Sequence, residues 1–197
     1  MDKRAPTDHP IHPLLTARWS PRAFAAHPIP AEQLARLFEA ARWAPSSFNE
    51  QPWAFLVATA DDKPNFSKML ECLVEGNRAW ASAAPVLMLT FANKVFAKNN
   101  KDNPHAWHDV GQAVANLTVQ ATSEGLAVHQ MAGILSDHIR TVYSVPEIWS
   151  PVTGVAIGHP GDPDSLPEKL RERERAPRER KPLTAFVFQG GWGSQWR

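Results

Sequence analysis

Two short segments hold the residue types with the most chemistry in them. Arg18-Trp19-Ser20-Pro21-Arg22 offers two guanidinium forks and a hydroxyl within five residues. Pro21 disfavours the helical region for Ser20, and in an extended stretch residues 18, 20 and 22 share one side. Two forks and a hydroxyl on one side suit the oxygens of a phosphate, which Arg binds bidentately. The second segment is Pro45-Ser46-Ser47-Phe48-Asn49-Glu50-Gln51-Pro52-Trp53. Its carboxamides each carry a donor and an acceptor, matching the edge of a flat heterocycle that presents both. Each segment has an ordinary structural use: exposed arginines beside a Trp, or a loop whose side chains satisfy its own backbone. Taken together, one amphipathic helix apart, they read as two ends of a site for a long ligand, anionic at one end and ring-like at the other.

The elements that must position these segments follow from periodicity. Residues 1–13 read as an arm without structure of its own. Residues 31–43 read as a helix, with Leu34, Leu37, Phe38 and Ala41 at helical spacing, Pro30 at its start and Pro45 after it. Trp53 to Ala58 reads as a buried strand. Pro64 to Glu75 reads as a second helix, with Gly76 as its cap. Pro85 to Phe91 is a strand. Residues 105–124 give the longest helical pattern, with a stripe of Val110, Ala113, Val114, Leu117 and Ala121 that admits close helix packing, centrally or in a dimer core. Leu126 to Met131 is a strand, Ser136 caps a short helix to about Val142, and Val152 to Ile157 and Thr184 to Gln189 are strands. Alternating helices and strands argue for a layered α/β domain. The chain reads as a single domain, 1–197.

Composition narrows the function. A formal net charge of +1 gives no basis for a nucleic-acid surface. The single cysteine, Cys72, excludes an intrachain disulfide framework and fits a reducing compartment. No apolar run marks a secretory signal or a membrane span. Eight Trp and eighteen Pro are unusual, and Trp favours ligand sites and interfaces. Trp19, Trp43, Trp53, Trp80 and Trp107 are candidates for pocket walls, although core packing is the commoner role. His105 and His108 lack a third metal ligand at a recognisable spacing. Cys72, among Leu70, Leu73 and Val74, reads as a small buried hydrophobe, and His129 as a satisfied core or pocket residue. There is no Gly-x-Gly-x-x-Gly, no phosphate-binding Gly-Lys-Ser/Thr loop and no Gly-x-Ser-x-Gly elbow. The stretch 171–181 holds six cations and three carboxylates. Arg171 to Arg175 read as a solvated surface, whereas Arg178, Arg180 and Lys181 could reach a phosphate.

The two opening motifs, in this order, resemble the FMN-dependent nitroreductase family. Asn77-Arg78-Ala79-Trp80, Asp109-Val110-Gly111-Gln112-Ala113, Gly125 to Gly133 and Arg178 to Leu183 extend the resemblance from about residue 14 to the last strand. It implies an α+β, three-layer fold with a central, mostly antiparallel sheet flanked by helices. It also implies a homodimer with FMN at the interface, a segment 171–197 that reaches the partner, and a C-terminal strand added there. The implied cofactor contacts are Arg18, Trp19 and Ser20 with Arg178 and Arg180 at the phosphate and ribityl end, and Arg22 at the flavin N1/O2 edge. Pro45, Ser46, Ser47, Asn49 and Gln51 line the ring from the partner, and Asn77 faces the ribityl or pyrimidine side. Gln130, Met131, Ala132 and Gly133 lie beside N5 and O4. Trp80 stands where many members carry Lys, and Ala132 where some carry an acid.

The implied activity is cytoplasmic FMN-dependent oxidation of NADH or NADPH, with ping-pong hydride transfer through flavin N5 to nitroaromatics or quinones. No side chain is expected to act as the catalyst. Flavin-dependent dehydrogenation, flavin fragmentation and a non-catalytic FMN-binding module are the alternatives on the same fold. A plain α/β binding domain is the alternative without a flavin.

Overall fold

Leu87, Leu89 and Phe91 belong to one buried cluster, while the alternate residues Val86, Met88 and Ala92 belong to others. A strand buried on both sides must be covered by helices on both sides. In the computed structural model, which describes residues 3–196, this strand is β2 (Val86–Asn93). It lies inside a four-stranded sheet with β1 (Trp53–Thr59), β3 (Ala127–Met131) and β4 (Trp149–Gly158), in the order β1-β2-β4-β3. Every pairing is antiparallel, so the fold is α+β, as the family resemblance implied, and not a parallel α/β sheet.

One face carries α2 (Ala31–Arg42) and α5 (Ala106–Ser123). Ala113, Leu117 and Ala121 of α5 pack with Leu37 and Ala41 of α2 and with Val155 and Ile157 of β4. The small-residue stripe of α5 is therefore consumed inside the chain. Arg36 of α2 holds Glu124, just past α5, through two hydrogen bonds of 2.9 and 2.8 Å. The other face carries α3 (Lys63–Leu70), α4 (Glu75–Ala81), α6 (Ser136–Tyr143) and α7 (Glu168–Arg175). Phe66, Met69, Leu73, Trp80, Ile139 and Leu166 form the core there. A short helix, α1 (Pro13–Ala17), precedes the first motif. Among the described residues no helix is long and apolar enough to cross a membrane.

Four expectations change. Trp53 to Ala58 is a strand, but as β1 it lies at the sheet edge and is mostly half-buried. The helix expected over Pro64 to Glu75 ends at Leu70, and Gly76 lies inside α4 instead of capping it. The break has a tertiary cause: Leu73 bridges Ile134, and the Cys72 carbonyl accepts from Leu135 N at 2.8 Å. Ser136 opens α6 without a side-chain capping bond. Thr184 to Gln189 forms no strand. Leu183–Ala185 is a single 3-10 turn, and the only later pairing among the described residues is an isolated bridge from Phe188 to Gln195.

Candidate functional site

Arg18 emerges from α1 into extended backbone, with φ −60° and ψ 125°. Its Nη1 donates to Ser20 Oγ at 3.2 Å, so the first fork and the hydroxyl of the motif meet. Arg178 and Arg180 arrive from the far end of the chain, and all three arginines line one cleft of about 880 Å³. Its walls come from the N-terminal arm, α1 and residues 178–186, with Ile11, Leu15 and Phe186 as apolar contributors. Burial, and then repulsion from Arg178 and Arg180, lower the Arg18 pKa. Burial and the Arg180 charge lower that of Arg178. None of the three guanidiniums has a carboxylate partner among the described residues. Asp8 and Glu179 line the same cleft without pairing to them, so the three gathered cations keep their charge available to an anion. Arg178 is also part of the scaffold. Its Nη1 donates to the carbonyls of Lys3 and Thr16, at 2.6 and 2.9 Å, tying the arm to α1.

The continuation of that motif is held from several directions. His129 Nδ1 lies 2.8 Å from the Pro21 carbonyl, which fixes the neutral ring as the Nδ1–H tautomer. Burial is the main cause of a lowered His129 pKa. Trp80 lies tilted against this ring, with centroids 4.4 Å apart, and stacks with Phe24 at 6.3 Å. At 2 % exposed, Trp80 is a core residue and not a pocket wall. Past Arg22, Gly161 N donates to the Ala23 carbonyl at 2.8 Å. A Cβ on Gly161 would come within 2.6 Å of the Phe24 carbonyl carbon, so only glycine permits this approach.

The firmest hold comes from a residue expected on the surface. Glu174, inside the Arg/Glu run, is 1 % exposed. Its Oε1 accepts from the backbone N–H of Arg22 at 2.8 Å and of Ala23 at 3.1 Å. Its Oε2 lies 3.0 Å from Arg22 N and 3.9 Å from Arg22 Nη1. The run 171–175 is therefore not a uniformly solvated stretch. Leu166, Leu170 and Glu174, spaced by four, form the inward face of α7 and its approach, a signal that charge counting hides. Arg171 and Arg175 secure the same helix to Asp164, at 3.5 and 2.7 Å.

Residues 45–51 form a different object. Phe48, Asn49 and Gln51 have φ of 54°, 56° and 52°, the left-handed region that L-residues avoid. Phe48 is 90 % exposed, with its ring 5.8 Å from Phe96. Ser46 Oγ accepts from Gln51 N at 3.0 Å, and Gln51 Nε2 donates to the Asn49 carbonyl at 3.1 Å. Ser47 N donates to Asp109 Oδ2 at 3.0 Å, and Asp109 is 2 % exposed. Ala97 N donates to Glu50 Oε1 at 2.7 Å. Pro45 is exposed, and among the described residues no hydrogen bond joins this loop to residues 18–22 or 130–133.

The third group surrounds the end of β3. Asn77 Nδ2 donates to the Gly133 carbonyl at 3.1 Å, and Val74 N donates to the same oxygen at 3.1 Å. A Cβ at Gly133 would meet Val74 Cγ2 at 2.6 Å and Asn77 Nδ2 at 2.7 Å, so its close approach is to α4. Met131 faces the core, whereas Gln130 and Ala132 are exposed and Gly133 half-buried. Trp19 is half-buried beneath Lys3 Nζ, 5.5 Å from its ring. Arg18, Ser20, Arg178 and Arg180 thus converge, Arg22 is linked to β3 through its neighbour Pro21, and Asn77 joins Gly133. The ring-lining candidates at 45–51 stand apart.

Comparison with known proteins gives this arrangement a context. The sequence profile of the nitroreductase family matches residues 15–159. An uncharacterized 15.4 kDa protein of Mycolicibacterium smegmatis is 36% identical over 129 residues, covering 66% of this chain and 85% of that one. An FMN reductase [NAD(P)H] of Bacillus subtilis is 28% identical over 173 residues, covering 79% of this chain and 68% of its own length. A crystal structure described as an oxidoreductase containing FMN superposes with a TM-score of 0.89 at 37% identity, covering 97% of both chains.

Proposed function

The chain belongs to the nitroreductase family, and from that premise we propose that it is an FMN-dependent NAD(P)H oxidoreductase acting on nitroaromatic or quinone-type acceptors. The observation that carries this reading is the gathering of Arg18, Arg178 and Arg180 in one cleft, none of them in an ion pair among the described residues although Asp8 and Glu179 also line it. A phosphate dianion supplies the missing charge, so the residues present fit the anionic end of FMN. When bound, FMN would supply the two-electron chemistry that links the nicotinamide to the acceptor in a ping-pong cycle. The protein's residues bind and orient. Arg18, Ser20, Arg178 and Arg180 hold the phosphate and ribityl end. Arg22 sets a cation at the N1 side of the ring. Asn77 and the backbone at Ala132 and Gly133 border the ring's polar edge. Pro45, Ser46, Ser47, Asn49 and Gln51 serve a second copy, because the loop lies apart from the other groups within one chain. In this homodimer the exposed Phe186, Trp192 and Trp196 reach the partner, while Glu174 and Arg178 stay bound to their own chain. The single cysteine, buried and with its pKa raised mainly by burial, suits the reducing cytoplasm.

The visible spectrum of the purified protein, before and after anaerobic NADH or NADPH, tests the reading. The expected result is a yellow protein that bleaches and recovers with a nitroaromatic or quinone. A yellow protein that never bleaches refutes the NAD(P)H reaction, and a colourless one after incubation with FMN refutes the cofactor. Arg18→Ala is expected to weaken FMN binding about tenfold more than riboflavin binding, the scale of one charge-assisted contact. Equal losses, measured by fluorescence titration, would remove Arg18 from the phosphate.

A further inference from the structure

We propose that Glu174 is a positioning residue that sets how strongly the Arg22 cation favours reduced over oxidised FMN. This rests on the assignment of Arg22 to the ring in the preceding subsection. Three observations carry it. Glu174 is 1 % exposed, although it sits in one of the most charged stretches of the chain. Its Oε1 accepts from both backbone N–H groups, Arg22 at 2.8 Å and Ala23 at 3.1 Å, which fixes the chain on either side of the Arg22 Cα. Oε2 also accepts from Arg22 N at 3.0 Å and is the oxygen that faces the Arg22 guanidinium, at 3.9 Å. The Arg22 side chain keeps 27% of its surface open, so the cation is held from behind and still accessible in front.

A carboxylate there has two consequences. It limits where the guanidinium can go, and its negative charge partly cancels the field that the guanidinium projects. Reduced FMN carries more negative charge near N1 than oxidised FMN, so a net cation beside it favours the reduced form. Glu174 therefore moderates that preference. In a partly buried pair such a charge is not erased by solvent as it would be on the surface.

Glu174→Gln removes the charge while a Gln carbonyl in the place of Oε1 still accepts from the N–H groups of both Arg22 and Ala23, and only the shared bond from Arg22 N to Oε2 is lost with it. The readout is the ratio of affinities for reduced and oxidised FMN, obtained from the midpoint potential of the FMN-loaded protein by spectroelectrochemistry. E174Q is expected to raise this ratio about tenfold, a shift of about 30 mV for a two-electron couple. Glu174→Asp, one methylene shorter, is expected to fall between wild type and E174Q, and it decides the matter alone if E174Q does not fold. In an Arg22→Ala background E174Q is expected to cause no shift, because its effect passes through Arg22. Wild-type ratios in E174Q and E174D, with a clear shift in Arg22→Ala, would overturn the role of Glu174 and leave the functional reading standing. An equal shift with and without Arg22 would also overturn it. A wild-type ratio in Arg22→Ala would remove Arg22 from the ring, and the role of Glu174 with it.

Discussion

Residues 18–24 and residues 45–51 both lie outside the α-helices and the sheet, and both hang on a buried carboxylate from a distant helix. Glu174 of α7 takes the N–H groups of Arg22 and Ala23, and Asp109 of α5 takes that of Ser47. They differ in backbone. The first segment is extended and pinned in succession by His129, Glu174 and Gly161. The second crowds three non-glycine residues into left-handed geometry and presents an aromatic ring to solvent. Holding several cations together requires a backbone that cannot retreat from their mutual repulsion, so many anchors converge on relaxed geometry. Presenting polar groups outward requires a chain that does not settle into regular structure, and strain of about 1–3 kcal/mol per residue is tolerated because neighbouring bonds over-determine it.

This contrast can be broken by substitution. Glu174→Ala strands two backbone donors, and we expect a loss of about 3 kcal/mol in unfolding free energy by urea denaturation. A loss below about 1 kcal/mol would mean that the other anchors suffice. Asp109→Ala releases Ser47 N at a half-buried position and the exposed His108 ring from Oδ1, so about 1–2 kcal/mol is expected, with faster proteolysis near Phe48. Unchanged proteolysis would show that Ser46 and Glu50 hold the loop without Asp109.

His129 gives the first region a pH signature. Burial lowers its folded pKa below the usual 6.5. The unfolded chain therefore binds the proton more readily, and the stability it contributes is complete above about pH 6.5 and declines as pH falls through that value toward the folded pKa. The slope is at most about 1.4 kcal/mol per pH unit, and His129→Gln should flatten it. A slope identical in both proteins would assign the acid sensitivity elsewhere. The smallest effect is expected for Gln51→Gly. Relief of the left-handed backbone, offset by the greater freedom of glycine when unfolded, should raise stability by about 0.5 kcal/mol. A destabilised variant would show that the Gln51 side-chain bond to Asn49 outweighs the strain.

Much of the framework was legible in the amino-acid order. The apolar spacing of Leu34, Leu37 and Ala41 and the long pattern ending before Gly125 mark α2 and α5, because a helix buried on one face must repeat its apolar residues at that face. The meeting of Arg18 and Ser20 was legible for the same kind of local reason, since fork and hydroxyl are near neighbours in the chain, whereas Arg22 lies outside the cleft and faces Glu174. The helix written across Cys72 failed because a distant segment, Ile134 and Leu135, claims that backbone for its own pairing. A C-terminal strand at Thr184 to Gln189 did not form within the chain, where the sheet order β1-β2-β4-β3 is complete without it. What tertiary structure decided is which charges are inside. Glu172 and Glu174 are equivalent in sequence, yet only the second lies four residues beyond Leu170 and faces the core. Helical phase selects the residue, but only the docking of α7 against residues 22–24 supplies the N–H groups that make a buried carboxylate stable.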